Sequence, residues 1–164
     1  MKPKILGIYS ALKSGEEMLS REEEELVVGR GIVGDRYYVG SGTFSKNMNE
    51  THDHEVTLIE SEEIDRFNAE HGFSFNHGAF RRNIVTQGVR LNDLVGREFL
   101  IGNVKLYAVR LCEPCAYLAK VLVPEVLPGM VGRGGLRARI VEGGNVRVGD
   151  VIETDLEHNE NAGR

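Results

Sequence analysis

Glycine divides this chain into short pieces. Of 164 residues 20 are glycine, and those at 29, 31, 34, 40, 42, 88, 96, 102, 129, 132, 134, 135, 143, 144 and 149 separate short β-favouring runs. An interior glycine weakens a helix by about 1 kcal/mol relative to alanine, so a chain cut this often resists long helices. It suits many short strands joined by tight turns, which predicts a barrel or a sandwich rather than a helical bundle. The length is that of one domain with room for a real core. Residues 1–153 are read as that domain, and the polar stretch 154–164 as a disordered tail.

The runs between glycines carry their own signals. Residues 4–12 (KILGIYSAL) and 26–28 (LVV) read as strands, and the acidic stretch 15–25 between them as a solvated loop or edge. Residues 55–60 (EVTLIE) form a further strand. Ser61 is placed to cap a helix reaching 70 or 71, with Glu62 and Glu63 on its positive end and Gly72 ending it. A helical turn over 91–95 leads to strands 98–101 and 104–111, a hairpin around Gly102-Asn103. The alternation in 136–141 (LRARIV) predicts a half-buried strand, and Gly143-Gly144-Asn145 turns the chain into 146–152.

Composition excludes several function classes. The net charge of −5 argues against general nucleic-acid binding. No apolar run approaches the roughly 20 residues that span a bilayer, so no membrane partner is expected. The N-terminal MKPKILGIYS lacks the pattern of a signal peptide. Two cysteines do not make a secreted disulfide framework, so a cytoplasmic location is the expectation and the sequon at Asn49 carries no meaning.

The chemistry concentrates after residue 104. Strand 104–111 ends at Arg110-Leu111 and runs into Cys112-Glu113-Pro114-Cys115, after which Leu118, Val121 and Leu122 recur at helical spacing. Pro114 suits the first helical position, which would set Cys115 in the first turn, where unpaired backbone N–H groups favour a thiolate. The helix should stop before Pro124. Cys112 precedes that turn and is read as an accessory thiol. A second cluster is Phe80-Arg81-Arg82-Asn83-Ile84-Val85. On a strand Arg81 and Asn83 share a face and Arg82 takes the other, either as a surface basic pair or as a clamp for phosphate or carboxylate. The glycines at 29, 31 and 34 set Asp35-Arg36 on a sharply turning backbone but match neither a P-loop nor G-x-G-x-x-G. The loop 40–53 is long enough to be a lid, and His52 and His54 form an H-x-H pair with no third metal ligand evident.

Taken in order, these pieces resemble the MOSC domain, named after the C-terminal domain of molybdenum cofactor sulfurase. The resemblance spans about residues 4–153. It rests on G-x-x-G-D-R at 31–36, R-N-I-V at 82–85 with Gly88, L-x-G-x-x-F-x-I-G at 94–102, R-L-C-x-P-C at 110–115, and the loosely started R-x-x-x-x-G-G-x-V-x-x-G-D at 139–150. It implies a mainly β fold, a closed barrel with a few short α-helices. It also implies that the cysteine matching Cys115 carries sulfur or holds molybdenum. Likeness to the mitochondrial amidoxime-reducing proteins adds F-R-x-N-I-V at 80–85 and puts Arg81 and Asn83 near a cofactor. This chain departs from them in carrying Arg82 where they have proline.

On that resemblance the chain binds the molybdenum cofactor and reduces N-hydroxylated substrates, with electrons from an external donor protein. Cys115 is the catalytic thiol and metal ligand. Arg81, Asn83, Asp35, Arg36 and Arg133 make up the cofactor-binding set. Pyridoxal phosphate is a further phosphate-bearing candidate ligand. Two alternatives stay open: a sulfur carrier with a persulfide on Cys115, and a dithiol redox protein using C-x-x-C. A fourth is a small-molecule binding barrel whose cysteines merely pack.

Overall fold

The computed structural model describes residues 2–38 and 54–156. Eleven strands are described: β1 (Lys4–Ser10), β2 (Leu19–Arg21), β3 (Glu23–Val27), β4 (Gly31–Ile32), β5 (Val56–Glu60), β6 (Ile84–Gln87), β7 (Glu98–Ile101), β8 (Val104–Leu111), β9 (Leu136–Glu142), β10 (Gly144–Arg147) and β11 (Ile152–Glu153). The helices are α1 (Ser61–His71), α2 (Ala116–Val121) and α3 (Val126–Gly129), with single 3-10 turns at His77–Phe80 and Leu91–Leu94. No helix among the described residues is long and apolar enough to cross a membrane.

The strands form two sheets. Eight pair in the order β11-β7-β8-β9-β5-β6-β1-β2, and three in the order β10-β3-β4. Only β5 and β6 run parallel, as the crossover through α1 requires; the other pairs are antiparallel. The architecture is mainly β, but the closed barrel expected from the resemblance is not formed: the sheets are open. Closure would need β1 to pair along its length with the C-terminal edge. Instead β2 takes the far half of β1, from Ile8 to Ser10, and the segment before β11 meets it at one isolated bridge, Lys4 to Val151. Three backbone bonds flank that bridge, such as Ile152 N–H to the Pro3 carbonyl at 2.9 Å, and no continuous ladder follows.

The sheet is covered on both faces. Ile5, Ile8, Val56, Leu58, Ile84, Phe99, Leu106, Leu136, Ala138 and Ile140 pack between the sheets. Ile59, Val85, Ile64, Phe67, Phe80, Leu118, Val126 and Met130 pack on the outer face, under the helices. Neighbouring residues such as Leu58 and Ile59 therefore serve opposite cores, which is why β5 is an unbroken apolar run with no alternation. Full burial of Phe67 on α1 stabilises this second layer by about 2 kcal/mol.

Several local expectations need correction. The acidic stretch read as a solvated loop or edge supplies β2, an exposed edge strand of the larger sheet, and β3, the middle strand of the smaller one. Both are largely exposed, and β3 is held by pairing with β10 while only Leu26 is buried. The N-cap of α1 is Glu60, not Ser61, and it makes no side-chain cap bond. Its carboxylate instead accepts the Leu91 N–H at 3.1 Å. Gly72 ends α1 in the left-handed region at φ 73°, as expected. His52, the loop 40–53 and most of the 154–164 tail lie outside the described residues.

Burial raises the Glu60 carboxyl above its ordinary range, against the opposing pull of the Leu91 N–H and Arg90. A raised folded-state value means that Glu60 favours the fold while protonated, fully so below the unfolded value. This contribution is lost as pH rises through the raised value. Glu60→Gln keeps an acceptor for Leu91 and removes the charge. Its stability relative to the parent should rise between about pH 4.5 and neutrality. Denaturant titrations at both ends of that range check this; a falling difference contradicts it.

Candidate functional site

The 29–38 loop places the first group. Gly31 has φ 111°, and a Cβ there would sit 2.7 Å from the Glu55 carbonyl oxygen, so only glycine permits this approach. Asp35 follows, fully buried. Its carboxylate accepts the Ala11 N–H at 3.1 Å and the Tyr37 N–H at 3.4 Å, and pairs with Arg36 Nη1 at 3.1 Å. Arg36 also donates from Nη2 to the Arg81 carbonyl at 3.1 Å and from Nη1 to Met18 Sδ at 3.3 Å. Asp35 thus orients Arg36 against the second basic segment.

Arg81 is not on a strand. It closes the 3-10 turn at φ 62°, the one non-glycine residue with positive φ among those described. Such a conformation costs about 1 kcal/mol or more and persists where the surroundings enforce it. Arg81 Nη1 donates to the Glu16 carbonyl, while Nη2 is buried without a hydrogen-bond partner. Burial and then the Arg36 charge hold its guanidinium below the usual arginine value. The Tyr117 ring lies 5.9 Å from it.

Arg82 and Asn83 turn inward. Arg82, read either as half of a surface basic pair or as part of an anion clamp, is buried and gives Nε to the Gly134 carbonyl, Nη1 to the Phe80 carbonyl and Nη2 to the Cys112 carbonyl, at 2.9, 3.2 and 3.1 Å. Asn83 accepts from Thr57 N and Oγ1 at 3.1 Å and donates Nδ2 to the Tyr9 carbonyl at 3.1 Å. Both staple segments together. Asn83 stands behind the site and does not line it.

These segments, with the end of β8 and the start of α2, enclose a cavity of about 300 Å³. Arg36, Tyr37, Thr57, Arg81, Arg82, Arg110, Arg137, Cys112, Glu113, Pro114, Cys115, Tyr117 and Leu118 line it. Arg36, Arg81 and Cys115 therefore share one concavity, while Asp35 and Asn83 lie behind its wall. Arg133 lies elsewhere, bonded to Glu70 at 2.9 Å and 3.9 Å from Glu63. Asp150 accepts the Arg147 N–H at 2.9 Å in its own turn.

Helix α2 begins at Ala116, with Cys115 as its N-cap residue and Pro114 outside. The sulfur is thus two positions earlier in the helix than the spacing predicted, because Cys115 keeps an extended backbone (φ −130°, ψ 168°). Cys115 is partly exposed, Cys112 is buried, and the two are free thiols, not a disulfide. Among the described residues no group of three His, Cys, Asp or Glu side chains is placed to hold a metal, and His54 is buried.

Sequence reasoning passed over Arg137 and Tyr117. Alternation set Arg137 on the polar face of β9, but nothing local said that this face would be covered. Among the lining residues no lysine is available for a Schiff base, so covalent capture of pyridoxal phosphate finds no support.

Solved structures with this fold include the YuaD protein from Bacillus subtilis, 19% identical, with a TM-score of 0.79 over 93% of this chain and 95% of that one. YiiM from Geobacillus stearothermophilus is 17% identical, with a TM-score of 0.70 over 93% of this chain and 74% of that one. YiiM from Escherichia coli is 18% identical, with a TM-score of 0.70 over 94% and 69%. Comparison with curated proteins gave no significant match. The sequence profile of the MOSC domain matches residues 32–153, well over half of the chain, and the chain accordingly belongs to the MOSC domain family.

Proposed function

We propose that the cavity binds the molybdenum cofactor and that the protein reduces N-hydroxylated substrates. The observation that carries this reading is a partly exposed thiol, Cys115, on the lining of a cavity whose wall bears five arginines. The donor set fits the group. A thiolate is a soft ligand suited to such a metal, and guanidinium forks suit a phosphate. The buried Nη2 of Arg81, which has no hydrogen-bond partner, is the donor such a phosphate would satisfy.

In this reading Cys115 is the metal ligand, Arg81 holds the anionic group and Asp35 positions Arg36 beside it. When bound, the cofactor supplies a metal centre that exchanges two electrons with the substrate. Tyr117 and Leu118 wall the site, and the 11–18 loop is anchored to its rim by the Arg36 and Arg81 guanidiniums. An external electron-donor protein completes the reaction.

Molybdenum analysis of protein purified without air from molybdenum-replete cells tests this. The parent should hold the metal near-stoichiometrically, Cys115→Ser should lose it by at least about tenfold, and Cys112→Ser should keep most of it. A persulfide on Cys115 with no molybdenum would instead mark a sulfur carrier. Equal damage from both substitutions, with neither metal nor persulfide in the parent, would mark a dithiol mechanism.

A further inference from the structure

Three donors of the cavity come from three separate segments. Arg81 is contributed by the 3-10 turn, Tyr37 by the 29–38 loop and Tyr117 by the first turn of α2, two residues after Cys115. All three line the same cavity, and both phenols lie within electrostatic reach of the Arg81 guanidinium. The Tyr117 ring centre stands 5.9 Å from it.

Each of the three keeps a polar atom that no described residue takes up. Arg81 Nη2 is buried with no hydrogen-bond partner. Tyr37 is only 7% exposed; its described contacts are the N–H bond to Asp35 and the approach of its ring to Arg36 at 4.7 Å and to His54 at 6.2 Å. Tyr117 is half-buried, and its described contact is the ring against Arg81. Neither set includes a hydrogen bond from the hydroxyl. Withdrawing polar groups from water without partners costs stability, and a ligand that is the missing partner accounts for them.

The backbone holds these donors in place. Arg81 keeps its left-handed φ of 62° while Arg36 donates to its carbonyl at 3.1 Å. Asp35 fixes the backbone of Tyr37 through the N–H at 3.4 Å. Gly15, at φ 86°, passes so near the Tyr117 hydroxyl that an added Cβ would lie 3.7 Å from it, and the next residue, Glu16, takes Arg81 Nη1 through its carbonyl. Two successive residues of the 11–18 loop thus meet two of the three donors.

We propose that Arg81 Nη2, Tyr37 Oη and Tyr117 Oη form one seat for a phosphate group, edged by residues 15 and 16. The proposal rests on the reading of Arg81 as the residue that holds the ligand's anionic group, and it adds the two phenols that complete the seat. The guanidinium supplies the charge, the phenols supply neutral O–H donors, and a tetrahedral phosphate has oxygens enough for all three.

Calorimetric titration with inorganic phosphate tests the seat, on the full chain purified from molybdenum-depleted cells. The parent should bind phosphate. Tyr37→Phe and Tyr117→Phe should each weaken that binding by roughly tenfold, and Arg81→Gln at least as far. The two phenylalanine variants should shift the phosphate-free melting temperature by less than about 2 °C, because the lost hydroxyl has no partner in the protein. Absence of phosphate binding by the parent overturns the proposal. So does parent-like affinity in either phenylalanine variant or in Arg81→Gln. A larger fall in the phosphate-free melting temperature of either phenylalanine variant does so too, since the hydroxyl would then be bonded within the fold. Molybdenum content is read separately, on parent protein from replete cells. Metal without tyrosine-dependent phosphate binding sinks the seat alone, and tyrosine-dependent phosphate binding without metal sinks the cofactor reading alone.

Discussion

Arg82→Leu is expected to lose about 3 kcal/mol or more of folding stability. The guanidinium is buried and divides its three nitrogens among the carbonyls of Gly134, Phe80 and Cys112. Leucine fills part of the volume but leaves those carbonyls without this donor, and hydrogen bonds to a charged group are worth about 1.5–3 kcal/mol each before compensation. The three carbonyls come from the turn before β6, the cysteine segment and the entry to β9, so the loss is also a loss of site geometry. Arg82→Lys separates charge from shape: one ammonium cannot match donors spread over a planar fork, so rescue should be partial. Guanidinium titration gives the stability, and molybdenum or phosphate retention in the folded fraction reports the site. A loss under about 1 kcal/mol would show that water replaces the fork, and the stapling role would then be wrong.

Gly135→Ala should be worse, with a loss above about 4 kcal/mol and little folded protein. Gly135 has φ 102°, and a Cβ there would lie 1.8 Å from the Leu58 carbonyl oxygen and 3.1 Å from the Ile59 Cα. Both neighbours are backbone of β5, the strand buried between two cores, so nothing can swing aside. The Gly135 carbonyl also accepts the Cys112 N–H at 2.7 Å, which ties the cysteine segment to the same point. Gly132→Ala is the control. Its φ is 72° with nothing within 4 Å of an added Cβ, so only the backbone penalty of about 1 kcal/mol applies. Thermal melts of the two variants should differ widely. A Gly135→Ala melting temperature near that of Gly132→Ala would contradict the close approach.

Much of the local structure was legible along the chain. The Gly102-Asn103 hairpin, the end of α1 at Gly72, the halt of α2 before Pro124 and the strand starting at Leu136 follow from turn chemistry and periodicity, which act between near neighbours. Where the reading slipped, a local signal met a distant partner. Glu23, Glu24 and Glu25 favour solvent, yet the ladder to β10 makes them a strand. Pro114 suits a helix start, yet its segment is docked through the Cys112 carbonyl to Arg82 and helix formation waits until Ala116.

The sequence alone determined the mainly β character, through glycine spacing and strand-length apolar runs, and the chemistry at hand, a C-x-x-C thiol pair with basic segments at 36 and 81–82. Only the tertiary structure decided whether the sheet closes, because closure depends on how the two ends of β1 share partners distant in sequence. It alone decided that Arg82 is a buried staple and Asn83 a hidden one, while Arg110 and Arg137 meet across β8 and β9 in the cavity that Cys115 lines. The physical reason is the same in each case. A side chain's type and face are set by its own strand or turn, but what covers that face, and which charge stands opposite, is set by segments tens of residues away.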